Sequence, residues 1–460
     1  MPVNLDIMGA LPDSSLFAWP PTDYPAALPP AHIEVNTPMH PFNIPDSIFT
    51  AALDPRVPLT IAAVYAITVK AISRYNLSCN KKPWAISRTR PFFAFVVLHN
   101  VFLAVYSAWT FWGMLGGMRR TIASPFAATG PAGTADSLCR VHGEPGLGNS
   151  IYFDDPSGTW TTLAQDGGAS AMLSGVPSSA QPGRLWNEGL AYYGWIFYLS
   201  KFYEVLDTFI ILAKGKPSST LQTYHHAGAM MCMWAGIRYM SSPIWVFVLV
   251  NSFIHALMYT YYTLTAFSIK VPMAIKRTLT TMQITQFIVG ASYAMVHSFI
   301  SYVVPVTVAR DAATESATVP PGSVGTLDSL RQLVFGSDVK VAAPGSIPSA
   351  DTVYVTQPCI ATAGETFAIW LNVLYLAPLT YLFVSFFIAS YVKRSHAVSK
   401  MNGKANRRLS NNVHLAEKAG WDAARGVERE VYGGENMVNG SAIAEDEAPV
   451  KKTSKSKRRA

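Results

Sequence analysis

The sequence predicts an all-α polytopic membrane protein with seven transmembrane helices. Charged residues make up only 14% of the 460-residue chain, and the apolar residues are gathered into long runs. A helix that crosses a bilayer needs about 20 predominantly apolar residues, whereas a soluble protein of this length does not need so many long uncharged segments. Seven runs are long enough: 57–73, 91–116, 188–213, 221–240, 243–268, 280–306 and 366–392.

The run at 57–73 is the weakest of the seven, because it is short and Lys70 falls near its end. Without this helix the protein would have six spans, and its amino end would lie in the cytosol. Seven spans and six spans therefore remain the two alternatives that hydropathy allows.

The distribution of basic residues decides the orientation, since Lys and Arg accumulate in cytoplasmic loops. Residues 1–55 contain neither Lys nor Arg. The basic residues that flank the predicted spans are Arg74, Lys81, Lys82, Arg88, Arg90, Lys214, Lys216, Lys270, Lys276, Arg277, Lys393 and Arg394. An odd number of spans, with the amino end in the lumen and the carboxyl end in the cytosol, satisfies every connection.

Three segments follow from this topology. Residues 1–56 are rich in Pro and Ala and are predicted to form a lumenal, largely disordered tail. Residues 57–395 form the membrane domain, with long lumenal loops at 117–187 and 307–365. Residues 396–460 are polar and are predicted to form a disordered basic cytosolic tail. The net charge of +8 does not indicate a nucleic-acid partner, because its basic residues cluster at membrane edges and in this tail.

The four cysteines fall in different environments. Cys139 and Cys359 both lie in predicted lumenal loops, where an oxidising compartment permits a disulfide. We predict that they are bridged, with two unrelated free thiols as the alternative. Cys79 is expected in the cytosol and Cys232 within the membrane.

Polar residues converge at one depth, in the cytosolic half of the bilayer, on four predicted helices. They are Lys201, Glu204, Asp207 and Thr208 in the third, His225 and His226 in the fourth, Asn251, His255, Tyr259 and Tyr262 in the fifth, and Gln283 and Gln286 in the sixth. Taken singly, such residues form ion pairs, interhelical hydrogen bonds or aromatic belts that only hold helices together. Structural contacts would be scattered across both leaflets, so the convergence predicts a functional site. We interpret His99 as a supporting residue and His297 as structural.

Two kinds of chemistry suit this set of residues. A zinc site of three histidines is one alternative, whereas a di-iron centre needs more histidines than His225, His226 and His255 supply. The other is acyl transfer, in which an imidazole acts as general base or attacks a thioester directly. Cys232 lies in an apolar run, where burial disfavours the thiolate and makes it a poor nucleophile.

Four motifs, in order and at matching spacing, resemble those of the ELO family of very-long-chain fatty acid elongases. They are Lys201-x-x-Glu204-x-x-Asp207-Thr208, Gln222-x-x-His225-His226, His255-x-x-Met258-Tyr259-x-Tyr261-Tyr262 and Thr280-x-x-Gln283-x-x-Gln286. The likeness covers about residues 57–395. These elongases are the condensing enzymes of the endoplasmic reticulum, so the resemblance implies that membrane as the location.

One position departs from the family pattern, because its histidine motif begins with His where this chain has Gln222. A similar Gln variant occurs in some elongases that are specialised for polyunsaturated chains. If the first His were essential, this protein would be inactive. In the alternative, His225 and His226 carry the chemistry and Gln222 orients a neighbour.

The resemblance implies condensation of a long-chain acyl-CoA with malonyl-CoA to 3-oxoacyl-CoA, CO₂ and CoA, with no cofactor beyond the two substrates. His225 would accept the acyl group, and His226 and His255 would assist proton transfer and decarboxylation. Lys201, Gln283 and Gln286 would anchor the CoA or malonyl end. The implied partners are membrane lipids, the reductases and dehydratase of the elongation cycle, and a second copy of the chain. The rival interpretation is a seven-span lipid-binding receptor or transporter without turnover.

Overall fold

A computed structural model describes residues 6–164, 168, 171–308 and 351–402, and helices dominate it. The helices are α1 Asp46–Ala52, α2 Arg56–Ser78, α3 Arg90–Thr121, α4 Gly130–Cys139, α5 Trp195–Tyr203, α6 Val205–Ala213, α7 Thr220–Arg238, α8 Ile244–Val246, α9 Ser252–Ala266, α10 Met273–His297 and α11 Ala363–Asn402. Residues Trp186–Gly194 form π-helical turns before α5, and Phe247–Asn251 form another π-helical turn between α8 and α9.

Four of the described helices are long and apolar enough to cross a membrane. They are Arg56–Ser78, Arg90–Thr121, Ile244–Ala266 and Ala363–Val384. Large apolar side chains on α3, such as Leu98, Val105 and Trp112, recur every seven residues and are at least 59% exposed. A helix that exposes such a row is suited to lipid rather than to water. The chain is therefore a mostly helical membrane protein.

Two of the predicted spans are interrupted rather than continuous. The run at 188–213 begins in the π-helical turns around Gly189, whose φ of 153° is not helical, and breaks again at Glu204 between α5 and α6. The run at 243–268 contains the π-helical turn that ends at Asn251. Irregular turns inside helices are common at functional sites, because they free backbone groups and redirect side chains.

The all-α prediction is wrong at one end of the molecule, where the structure contains three small antiparallel sheets. The strands are β1 Ile7–Gly9, β2 His142–Gly143, β3 Ser150–Asp154, β4 Thr159–Thr162, β5 Met172–Leu173, β6 Val176–Pro177, β7 Ile300–Val308 and β8 Asp351–Pro358. The sheets have the orders β1-β7-β8, β2-β3-β4 and β5-β6. The predicted loop 117–187 therefore holds α4 and five strands, and residues 309–350 of the loop 307–365 lie outside the described residues.

The predicted sixth span, 280–306, is also corrected. Helix α10 ends at His297, and the apolar residues that follow form β7. Strand β7 is rich in β-branched and aromatic residues, and Tyr302 and Val304, two positions apart, are fully buried. A short apolar run does not by itself distinguish a strand from the end of a helix, so the sequence suggested one long helix.

The amino-terminal segment differs from the largely disordered tail that we predicted for residues 1–56. Residues 6–56 include strand β1 and helix α1, and the side chains of Phe49 and Leu53 are buried in the main apolar core. The indole of Trp195 donates to the Phe49 carbonyl at 3.3 Å, and that of Trp234 donates to the Leu53 carbonyl at 2.7 Å. The Pro-rich composition suggested disorder, but tryptophan donors on α5 and α7 bind carbonyls of the last turn and cap of α1.

The two ends of the helical bundle are built from different segments of the chain. The sheets and the amino-terminal segment occupy one end, which we call the sheet end. At the opposite end, which we call the connection end, Trp84 donates its backbone N–H to the Ala213 carbonyl at 2.9 Å. There Asn76 donates to the Lys216 carbonyl at 3.1 Å. Of the predicted disordered tail 396–460, residues 396–402 continue α11 and residues 403–460 lie outside the described residues.

Candidate active site

The break between α5 and α6 carries a buried ion pair. Lys201 Nζ donates to Glu204 Oε1 at 2.7 Å, and the two side chains are only 5% and 3% exposed. The ammonium also lies 4.0 Å from the centroid of the Phe197 ring. Ser200 Oγ donates a further hydrogen bond to the same carboxylate oxygen at 2.9 Å. These contacts offset part of the cost of removing both charges from water.

The side-chain amides of Asn251 and Gln286 link this ion pair to α10 through hydrogen bonds. Lys201 Nζ donates to Asn251 Oδ1 at 3.2 Å, and Asn251 Nδ2 donates to Gln286 Oε1 at 3.3 Å. One turn earlier on α10, Gln283 Nε2 lies 3.1 Å from Met258 Sδ. The π-helical turn that ends at Asn251 thus places an amide between the third and sixth predicted spans.

Asp207 joins three helices. Its Oδ1 lies 2.8 Å from His99 Nε2 on α3, and its Oδ2 accepts from the Tyr259 hydroxyl on α9 at 2.6 Å. His99 and Tyr259 are each only 1% exposed. Tyr262 packs edge-on against Tyr259, with ring centroids 6.0 Å apart. Asp207 and Tyr259, both among the polar residues of the predicted site, are thus hydrogen-bonded to each other, and His99 lies on the other oxygen of the same carboxylate.

The two adjacent histidines of α7 face different neighbours. Successive residues of a helix are rotated by about 100°, so side chains adjacent in sequence diverge. The His225 ring lies toward α10 and α11, with Nδ1 3.0 Å from the Tyr375 hydroxyl. The His226 ring lies toward α2, and its centroid is 6.2 Å from that of Tyr65. His225 is partly exposed and His226 is buried.

Gln222, the position that departs from the family motif, contacts His226 one turn away. Its amide nitrogen lies 2.8 Å from His226 Nε2 and donates to Thr208 Oγ1 at 3.4 Å. The Thr208 hydroxyl is in turn 2.8 Å from the Tyr65 hydroxyl. With the Gln222 amide nitrogen facing the ring, the contact is a hydrogen bond in the His226 tautomer that carries its proton on Nδ1.

His255 lies beside the Glu204 carboxylate. Its Nδ1 is 3.7 Å from Glu204 Oε1, which is too long for a hydrogen bond but close for an electrostatic contact. His255 is 8% exposed. Glu204 therefore lies between the Lys201 ammonium and the His255 imidazole, within electrostatic reach of both.

Hydrogen bonds thus join several residues of the predicted site into two groups. The first group contains Glu204, Lys201, Asn251 and Gln286, with His255 beside it. The second group contains Asp207 and Tyr259. The sequence analysis did not single out Ser200, Tyr65 or Tyr375. Their hydroxyl groups lie within apolar runs and are not part of a helical pattern of polar residues.

The site histidines do not form a compact set of ligands. Among the described residues, the group of three metal-ligating side chains with ligand atoms within 4.8 Å of one another is Cys139, His297 and Cys359. It lies at the sheet end, and two of its members, Cys139 and Cys359, are joined as a disulfide with Cα atoms 4.9 Å apart. A disulfide sulfur is not a thiolate, so this group does not offer the ligands that zinc requires.

The connection end is basic. Lys214 and Lys216 lie just beyond α6, and Lys270 follows α9. Burial, together with the positive charge of Lys216, lowers the pKa of the Lys214 ammonium to about 8. The ammonium is therefore still mostly charged at neutral pH.

The comparisons with known proteins agree on one family. The family described as "ELO: GNS1/SUR4 family" matches residues 50–399. The chain is 34% identical over 172 residues to the fatty acid elongase sre1 of Dictyostelium discoideum, covering 37% of this chain and 58% of that protein. It is 37% identical over 108 residues to fatty acid elongase 2 of Trypanosoma brucei brucei, covering 23% of this chain and 40% of the relative.

A human relative gives the same picture, since very long chain fatty acid elongase 3 of Homo sapiens is 35% identical over 105 residues. That stretch covers 23% of this chain and 39% of the human protein. In all three relatives the matched stretch is shorter than two thirds of their length. No solved structure matches the chain. The family match spans most of the chain and confirms the resemblance that the four motifs suggested: the chain belongs to the ELO (GNS1/SUR4) family.

Proposed function

We propose that this protein condenses a long-chain acyl-CoA with malonyl-CoA to give 3-oxoacyl-CoA, CO₂ and CoA. The observation that carries the proposal is the placement of a partly exposed imidazole, His225, in the same helical bundle as a buried network of charges. In this proposal the acyl chain lies among the apolar side chains of the bundle, and the polar groups meet its thioester.

The first half-reaction uses His225 as the acyl acceptor. Among the described residues, the hydrogen bonds of His225 involve Nδ1 and the backbone, so Nε2 is left to attack the thioester carbonyl. The C–N bond forms, the C–S bond breaks, and the CoA thiolate leaves and takes up the proton that the acylated imidazole loses from Nδ1. An acyl-imidazole at His225 results.

The second half-reaction uses malonyl-CoA. Loss of CO₂ breaks its C–C bond, and the electron pair left on carbon attacks the acyl carbonyl. The C–N bond to His225 then breaks and returns the electron pair to the imidazole, which takes up one proton to become neutral again, and 3-oxoacyl-CoA is released. Lys201, Gln283 and Gln286 are proposed to anchor the malonyl or CoA end and to stabilise the negative charge that develops on oxygen.

The other two histidines take different roles in this proposal. His255 exchanges the proton, because Glu204 provides a counter-charge 3.7 Å away. His226, which we expected to assist proton transfer, has Nε2 engaged by the amide of Gln222. It therefore acts on the site by fixing the first turns of α7, and Gln222 is the group that orients it.

The proposed arrangement in the membrane has seven spans, with the sheet end in the lumen of the endoplasmic reticulum and the connection end in the cytosol. Two independent observations support this orientation. The Cys139–Cys359 pair lies at the sheet end and suits an oxidising compartment, while Lys214, Lys216 and Lys270 lie at the connection end. CoA thioesters would then reach the site from the cytosol, and partner reductases and a dehydratase would act on the product.

Thiol labelling of sealed microsomes tests both the orientation and the disulfide. A membrane-impermeant maleimide is expected to label Cys79, which is partly exposed at the connection end, without detergent. Cys139 and Cys359 are expected to react only after both detergent and reductant are added. Labelling of Cys139 in intact microsomes, or without reductant, would contradict the proposed topology or the disulfide respectively. A Cys79→Ser variant identifies the labelled band.

The activity itself is tested with microsomes that carry the full chain, supplied with radiolabelled malonyl-CoA and a panel of acyl-CoA substrates. We expect incorporation of label into 3-oxoacyl products for one range of chain length and unsaturation. Microsomes from the same cells without the protein give the background. Binding of acyl-CoA with no incorporation over the whole panel would favour the receptor or transporter alternative.

A further inference from the structure

Tyr375 on α11 contacts His225 twice, although none of the four motifs includes it. His225 Nδ1 lies 3.0 Å from the Tyr375 hydroxyl, and the same hydroxyl donates to the His225 backbone carbonyl at 2.9 Å. Tyr375 is 8% exposed. One contact to the ring and one to the backbone of the same residue hold the imidazole at a defined angle to its own helix.

The protons in these two contacts can be assigned from simple chemistry. A carbonyl oxygen accepts only, so the single hydroxyl proton of Tyr375 is used in the bond to the His225 backbone. The contact with Nδ1 is then a hydrogen bond only if Nδ1 carries a proton and donates it to the hydroxyl oxygen. In the opposite assignment, with the hydroxyl proton directed at Nδ1, only one of the two contacts is a hydrogen bond. A buried hydroxyl favours the assignment that satisfies both.

We propose that Tyr375 is a positioning residue that holds neutral His225 with its proton on Nδ1 and a bare lone pair on Nε2. This inference rests on the proposed function, because it specifies which nitrogen of His225 attacks the thioester. A neutral imidazole has one bare nitrogen, and which one it is depends on the hydrogen bond made by the other. With the opposite tautomer, Nε2 would carry a proton and would not be a nucleophile.

The interface between α7 and α11 is shaped around this contact. Gly228 lies one turn after His225, and a Cβ atom at that position would overlap the Tyr375 ring. Tyr224 stacks on Tyr375 with ring centroids 5.4 Å apart and donates its own hydroxyl to the Tyr375 carbonyl at 3.2 Å. The two helices therefore exchange a pair of hydroxyl-to-carbonyl bonds, and only that of Tyr375 is linked to an imidazole.

This pair provides a matched control. Tyr375→Phe and Tyr224→Phe each delete one hydroxyl that donates to a backbone carbonyl across the same interface, and each keeps its ring. We expect Tyr375→Phe to lower kcat about tenfold with KM within about twofold, whereas Tyr224→Phe leaves both within about twofold. Gly228→Ala keeps the hydroxyl but displaces the ring, and is expected to lower kcat in the same direction.

The tautomer is measured directly, independently of turnover. Protein labelled with ¹⁵N-histidine gives ring-nitrogen shifts that distinguish a protonated nitrogen from a bare one, and a His225→Gln sample identifies the His225 signals. In the wild type, we expect Nδ1 protonated and Nε2 bare near neutral pH. In Tyr375→Phe, we expect a mixture of both tautomers, while Tyr224→Phe keeps the wild-type pattern.

Each outcome decides the inference. A wild-type His225 with its proton on Nε2, or an unchanged pattern in Tyr375→Phe, would overturn it. Equal losses of kcat in the two Tyr→Phe variants would show that the hydroxyls act only through packing. If the expected tautomer shift is found but the wild type makes no 3-oxoacyl product, then the proposed function fails while the positioning role of Tyr375 stands.

Discussion

Replacing His225 with alanine is expected to reduce elongation by about 10³-fold or more, because the variant loses the imidazole that we propose as the acyl acceptor. Formation of 3-oxoacyl product from radiolabelled malonyl-CoA measures the whole reaction. Release of CoA thiol from acyl-CoA alone measures the first half-reaction, and the wild type should release about one CoA for each protein molecule. The variant should show neither, and should retain the thermal unfolding temperature of the wild type within a few degrees.

Cys232 supplies the control for this experiment. It lies two turns after His225 on α7, is 1% exposed, and its Sγ is 3.9 Å from the Leu371 carbonyl. If a thiol rather than an imidazole accepted the acyl chain, Cys232→Ala would remove activity. We expect that variant to elongate within about twofold of the wild type. A His225→Ala protein that elongates acyl-CoA at the wild-type rate would contradict the proposal that His225 is the acyl acceptor.

Replacing Lys201 with methionine is expected to destabilise the folded protein by about 3–5 kcal/mol, because it leaves the Glu204 carboxylate buried without its partner. The side chain of Glu204 is only 3% exposed, so water does not replace the lost ammonium. The hydrogen bond from Ser200 remains but is too weak to compensate for a full charge. Thermal or denaturant unfolding in detergent micelles, compared with the wild type, measures the loss.

The double variant Lys201→Met with Glu204→Gln separates stability from function. With both charges removed, no unpaired ion is buried, so most of the lost stability is expected to return. Activity is not expected to return, because the proposed anchor for the substrate and the counter-charge beside His255 are both absent. A double variant that is less stable than Lys201→Met would show that the pair does not act as a buried salt bridge.

Much of the site could be predicted from residue chemistry alone. A Lys, a Glu, an Asp and three His within apolar runs are costly there, so their presence indicates a functional site even before a fold is known. Helical periodicity predicted that Lys201 and Glu204, three residues apart, share one face of the helix. In the structure, their side chains form an ion pair at 2.7 Å. The four motifs identified the family, which the family match over residues 50–399 confirms.

Other features were beyond local patterns because they depend on contacts between distant segments. Residues 300–308 are as apolar as the helix before them, and only pairing with β1 and β8 makes them a strand. The amino-terminal segment has a composition typical of disorder, yet the indoles of Trp195 and Trp234 bind its carbonyls. Propensity is a weak prior, and tertiary contacts override it in both cases.

Sequence by itself determined that this is a mostly helical membrane protein and which family it belongs to, and it predicted which polar residues form a candidate site. Those conclusions follow from the cost of burying polar side chains in a membrane and from the spacing of residues within each motif. Both can be read from one segment of the sequence without knowing the fold. Only the tertiary structure decided which neighbours the two adjacent histidines contact. His226 meets the amide of Gln222 and His225 meets the hydroxyl of Tyr375, because a rotation of about 100° per residue directs them to different helices. Tyr375 lies 150 residues from His225 in the chain, so only the packing of α7 against α11 brings the two together.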